Sequence, residues 1–280
     1  VSRRRPEGFI DASKDFMLDR LDDALEPVTR MLGGNLIWGE MKENALGATG
    51  ESQGGARIAI KYLAELLSKD PSVELHVAGH SAGAIFHAPL IQLLTEQGKI
   101  TSGPLKGKKG YGLKVSSCTL WAPACTIELF KQTYMPAIQN GGIGRFALFT
   151  LTDNAEQHDH CASIYHKSLL YLVSNAFEEK PRIPLFREGE AILGMEKFIR
   201  DDQDIMKQIG TKKFQWVLSP NNADTGSPDH STSKSHGDFD DDRATLHATL
   251  ARILQETKVA VTFAIHRSAS SLRNRRHRLM

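Results

Sequence analysis

Cysteine is scarce: Cys118, Cys125 and Cys161 are the only thiols in 280 residues. Their odd number and wide spacing argue against a disulfide framework. None forms a CxxC pair, so a structural zinc site is not expected. A reducing, cytoplasmic setting follows as the expectation. Long apolar runs are also missing. No segment approaches the roughly 20 apolar residues of a membrane helix, so no membrane span is expected. The N-terminus, "VSRRRPEGFIDASKDF", has basic residues but no apolar stretch of the kind a secretory signal needs. Internal repeats and long low-complexity segments are absent as well, which excludes solenoids and fibrous classes.

What is present suits a globular chain. Hydrophobic residues make up 40%, enough for a buried core in a single domain spanning 1–280. Charge is unevenly placed. Arg3, Arg4 and Arg5 open the chain, and residues 267–280 hold five more arginines and no acid. Without these eight, 27 basic residues face 33 acidic ones, so the body is acidic. The basic tail over 267–280 reads as a solvated, flexible end, and nucleic acid is not an expected partner.

Apolar periodicity alternates between two kinds. Helical spacing runs through Phe16, Leu18, Leu21, Leu25 and Val28, with Pro27 expected to kink or end that helix. "NLIW" (35–38) reads as a short strand or the tail of a loop. A helix follows from about Ala56 to Ser68. Then come the strand "VELHVAG" and a helix carrying Ile85, Leu90, Ile91, Leu93 and Leu94. The loop "EQGKITSGPLKGKKGYG" is rich in Gly and Lys. Further strands are "LKVSSCTLWAP", "RFALFTLTD" and "KKFQWVLSP", separated by the helices "TIELFKQTYMPAIQ" and "SLLYLVSNAFEE". A long polar loop precedes the last helix, "RATLHATLARILQE", and "VAVTFAI" is a candidate additional strand. This alternation predicts an α/β fold with a mostly parallel sheet flanked by helices. Sites in such sheets lie at the carboxyl ends of strands.

Three strand ends carry groups of catalytic type. Ser81 lies in Gly79-His80-Ser81-Ala82-Gly83, between a strand and a helix. A nucleophile elbow needs a sharp turn there, so the residues two before and two after must be small. The pentapeptide alone is a weak signal; the strand before it and the helix after it are the supporting context. The backbone N–H of Ala82 is a candidate oxyanion donor. His236, in the loop after "FQWVL", is the candidate base, with His230 as its competitor. For the acid, "LTDNAEQHDHC" offers Asp153, Glu156 and Asp159: Asp153 stands directly at a strand end and is preferred over Asp159, which suits a longer loop, while a solvated loop or a helix-start charge is the alternative reading of the other two. His80 is expected to point away from the strand end and to be structural.

The order Ser81, Asp153, His236 is that of the α/β-hydrolases. From about Trp38 to Leu254 the chain resembles that superfamily, of the serine esterase and lipase type. "HVAGHSAG" resembles the elbow strand, "LFTLTD" the acid strand and "WVLSP…SHGDFDDD" the histidine strand and loop. "WGEMKENA" and "YHKSLLYLVS" look like segments of uncharacterised bacterial members. The resemblance implies a sheet of about eight strands and cleavage of a carboxylic ester or related acyl bond, through an acyl-serine, in a small-molecule substrate. No cofactor is implied. The order also sets the expectation that activity rises with an apparent pKa near that of histidine.

The chain departs from the pattern before the elbow. No HGG-type motif supplies a second oxyanion donor, and only "NLIW" is available as a strand where the fold has about four. A chain lacking its N-terminal part and a trimmed sheet are the two explanations. Two rival functions stay open: a non-catalytic binding protein on a hydrolase fold, and a metal-dependent hydrolase using "HDHC" and "SHGDFDDD". Oligomeric state is not legible.

Overall fold

The computed structural model describes residues 21–161 and 164–257. The helical pattern at Phe16 and Leu18, the "VAVTFAI" segment and both arginine-rich ends lie outside the described residues.

The chain enters as helix over 21–31, turns at Leu32–Gly33 and re-enters α1 (Gly34–Gly50). Pro27 does not end the first helix. The reversal falls at Gly33, whose φ of 90° is in the left-handed region that suits glycine. "NLIW" is helical, inside α1, not a strand. Leu36 and Ile37 are exposed there, so the apolar run that suggested a strand reflects composition rather than burial. The helix α2 (Gly55–Lys69) follows, close to the expected bounds.

Four parallel strands form the sheet: β1 (His76–His80), then β4 (Val115–Trp121), β5 (Ile143–Leu151) and β6 (Phe214–Ser219), in that spatial order. The loop rich in Gly and Lys contains a small antiparallel pair, β2 (Gln97–Lys99) and β3 (Lys109–Tyr111). Crossovers run through α3 (Gly83–Thr95) and α4 (Ile127–Gln139). Between β5 and β6 lie α5 (Asp153–His158), α6 (Leu169–Leu172) continued by a π-turn (Val173–Phe177), α7 (Glu196–Asp201) and α8 (Gln203–Gln208). The chain then closes on α9 (Arg243–Leu254). This is an α/β architecture with helices on both faces of a parallel sheet.

Side chains alternate between the two faces of the sheet. On one face Phe146 and Phe214 meet Phe130 of α4 in an edge-to-face cluster, with centroids 4.8–6.0 Å apart. Such rings combine large apolar burial with favourable quadrupole geometry. On the other face α9 lies against the sheet. There Trp121 Nε1 donates to Thr249 Oγ1 at 3.1 Å, and the Arg252 guanidinium stands 5.1 Å from the Phe149 ring centroid. Because all four strands run the same way, their carboxyl ends share one edge. Ser81, Thr152 and Pro220 therefore leave the sheet side by side. Among the described residues no helix is long and apolar enough to cross a membrane.

Candidate active site

Ser81 adopts φ 53°, an uncommon conformation for a residue with a Cβ. Strain of this kind persists only where surroundings fix it from several sides. Here Ser81 N donates to Trp121 O at 3.0 Å, while Ser81 O accepts from Ala84 N at 3.1 Å and Ala124 N at 3.0 Å. The turn is thus clamped between the end of β4 and the start of α3.

The two glycines around it differ in what they do. A Cβ on Gly79 would lie 2.8 Å from His87 Cδ2 and 3.3 Å from the Gly83 carbonyl carbon. His87 is held there by its own bond, Nε2 donating to Ala78 O at 3.0 Å. A Cβ on Gly83 would meet nothing within 4 Å. The requirement for smallness therefore falls on Gly79. Helix α3 starts at Gly83 without a side-chain cap, leaving the N–H groups at its start unpaired by any capping side chain. Ala82 N–H belongs to that positive end, beside the Ser81 hydroxyl.

His236 reaches the serine. Its Nε2 lies 2.8 Å from Ser81 Oγ, across 155 positions of sequence. With Nε2 accepting from the hydroxyl, the ring proton sits on Nδ1, and Nδ1 is buried with no hydrogen-bond partner. The residue is 6% exposed. Burial, reinforced by neighbouring His80, pushes its pKa down to about 3, so the ring is neutral at physiological pH. His230 makes no such contact; its backbone closes a turn on Ser227.

The loop carrying His236 is built from its own polar side chains. Asp238 Oδ2 accepts from the N–H groups of Lys234 and Ser235. Asp242 caps α9 and also accepts from Thr232 N and Oγ1, at 2.8 and 2.6 Å. Despite partial burial, these hydrogen bonds hold the Asp242 carboxyl below its usual range. Asx and cap geometry of this kind orders the loop together with the burial of Phe239, whose ring centroid stands 6.3 Å from that of His80.

Neither candidate acid touches the imidazole ring. Asp153 is occupied elsewhere: Tyr171 Oη donates to its Oδ1 at 2.8 Å and Gln157 Nε2 to its Oδ2 at 2.6 Å. Thr152 N-caps α5, which makes Asp153 a first-turn residue directed away from His236. Asp159, at the far end of α5, does reach His236. Its Oδ2 accepts from the His236 backbone N–H at 2.8 Å.

Two further residues depart from what the sequence suggests. His80 was expected to point away; instead its ring centroid is 5.1 Å from that of His236, and its Nε2 donates to the His236 carbonyl at 2.9 Å. The signal was available in the period of two, which puts His76, Ala78 and His80 on the face that α9 covers. Glu156, between the two candidate acids in sequence, is fully buried. Ser168 Oγ donates to its Oε2, and its Oε1 has no partner. Burial pushes its pKa up to about 8 against the pull of Ser168, with Asp159 and Asp153 adding to the rise. Nothing in the sequence separates this buried glutamate from a solvated one.

Among the described residues no group of three or more His, Cys, Asp or Glu side chains converges in a way that could hold a metal ion. No protein-family model, no curated protein and no solved structure matches the chain at a significant level.

Proposed function

We propose that the protein is a serine hydrolase of the α/β-hydrolase type that cleaves a carboxylic ester or related acyl bond. The observation that carries this reading is the 2.8 Å contact between His236 Nε2 and Ser81 Oγ, made where Ser81 stands at φ 53° on a strand-to-helix turn. The order along the sheet supports it. The serine follows β1, an acid follows β5 and the histidine follows β6.

In this reading Ser81 Oγ attacks the acyl carbon as its proton passes to His236 Nε2. Negative charge then develops on the acyl oxygen, beside the Ala82 N–H and the start of α3. His236 returns the proton to the departing alcohol or amine, leaving acyl-Ser81. Water, deprotonated by the same imidazole, releases the acid and restores the serine. We assign the acid to Asp159 rather than Asp153. Imidazolium formation needs a carboxylate near Nδ1, and Asp159 already holds the same residue by its main chain. The assignment requires that side chain to turn from the His236 main-chain N–H to the Nδ1 edge of the ring.

A fluorophosphonate probe tests the proposal. It is expected to label the folded protein at Ser81, and Ser81→Ala is expected to abolish labelling. A folded wild-type protein that stays unlabelled would overturn the reading and favour a binding role.

A further inference from the structure

Far from Ser81, near the start of β5, Arg145 carries two buried nitrogen atoms, Nε and Nη2, with no hydrogen-bond partner among the described residues. These two N–H groups lie on the same edge of the guanidinium. They form the side-on fork that matches the two oxygens of a carboxylate or phosphate. Buried donors are almost always paired, so a vacant fork with this geometry points to an absent acceptor.

The surroundings of the fork suit an anion. Arg145 lines a small cleft together with Ser117, Thr119, Lys212, Lys213 and Arg252. Its floor follows from the strand register. Ser117 pairs with Arg145, Thr119 with Ala147, and Ala147 with Gln215, all on the face that α9 covers. Ala147 is the short side chain in that row and leaves the depth. Arg252 closes one wall with its own fork already used, Nε on Gln215 Oε1 at 3.0 Å and Nη2 on Asp229 Oδ1 at 2.8 Å. Lys212 and Lys213 are exposed at the rim. No carboxylate lines this cleft. Glu74 lines the adjoining cleft on the other side of Arg145, where its carboxylate meets His76 Nε2 at 3.1 Å.

The geometry points to a binding site for one carboxylate or phosphate group of a small molecule, held by the Arg145 fork and the Lys212–Lys213 rim. It lies at the amino-terminal ends of the strands. Arg145 pairs with Ser117, whereas Ser81 leaves the sheet beside Trp121. Four residues of extended chain separate those levels, about 13 Å. The site is therefore separate from the serine and does not depend on the hydrolase reading. A ligand at free concentration L bound there stabilises the fold by RT ln(1 + L/Kd), so the effect grows with the logarithm of ligand concentration once that exceeds Kd.

Thermal unfolding in sodium phosphate and in sodium malonate, each against sodium chloride of equal ionic strength, tests the inference. The wild-type midpoint is expected to rise with probe concentration as a single site of fitted Kd requires, with one probe or both, and the tighter one identifies the headgroup. Arg145→Met is expected to lose the rise. Lys212→Gln with Lys213→Gln, at exposed positions, is expected to raise the fitted Kd at least fivefold. Absence of a rise over sodium chloride in the wild type, or an equal rise in Arg145→Met, would overturn the site. If Arg145→Met does not fold, an unchanged fitted Kd in the lysine double variant overturns it instead. Labelling of Ser81 by fluorophosphonate should be the same in all folded variants.

Discussion

Asp159 holds His236 by the main chain and not by the ring: Oδ2 lies 2.8 Å from the backbone nitrogen, while Nδ1 of the same residue is buried without an acceptor. The two candidate acids are thereby separated by experiment. Asp159→Asn is expected to lower kcat by about 10,000-fold, the size of loss seen when a triad carboxylate is neutralised. Asp153→Asn, which disturbs only Tyr171 and Gln157, should stay within about tenfold of wild type. Steady-state kinetics with an activated ester measures both. A larger loss in Asp153→Asn would return the acid role to that residue.

The acid limb of the pH profile follows from the burial of His236. An unburied histidine titrates near 6.5, but this ring stays neutral until about pH 3. The base form is thus already present at pH 5. The kcat/KM there is expected to retain most of its pH 7 value, in contrast to the limb near 6.5 that the bare sequence suggests. A half-maximal point at 6.5 would contradict the burial argument.

Glu156 makes a separate prediction about stability. Its pKa is raised by folding, so between about 4.5 and 8 the folded state keeps a proton that the unfolded chain has released. Stability therefore falls as pH rises through that window. Glu156→Gln keeps the neutral form at every pH. Its gain over wild type should grow from near zero at pH 4.5 to about 2 kcal/mol or more at pH 8. Urea unfolding at the two pH values reads this directly. A gain that does not change with pH would refute it.

The glycines of the elbow should respond unequally. Gly79→Ala drives a Cβ against His87 and the Gly83 backbone, and is expected to cost ~2 kcal/mol or more as well as activity. Gly83→Ala places a methyl in open space at a helix start, where lower backbone entropy in the unfolded chain favours it by up to about 1 kcal/mol. Denaturant midpoints for the two variants separate these outcomes.

The elbow was legible because an apolar run, a glycine and a helical stripe meet within a few residues around Ser81. The other strands were legible from composition: β4, β5 and β6 are rich in β-branched, aromatic and leucine residues, and proline or polar residues follow each. "NLIW" misled because four residues are too few to distinguish a strand from one turn of helix, and its apolar side chains are exposed in α1. The residue we propose as the acid was obscured by α5. Thr152 followed by Asp153, Asn154 and Glu156 is a helix-start pattern. It directs Asp153 into the first turn and delivers Asp159 at the other end. His80 depended on tertiary packing: its face could be read from period two, but its contact with a loop 156 residues away could not.

The bonds that join Ser81 to His236 and His80 to the His236 carbonyl close the longest loops of the site. Closing such loops costs chain entropy that only the completed sheet and the docked α9 can offset. In the proposed reading the nucleophile is local, written in one β-turn-α unit, whereas its base arrives from the other end of the sheet. Hydrolysis would then report on global assembly: a chain with β6 and its following loop detached would retain a shaped serine and have no means of ionising it.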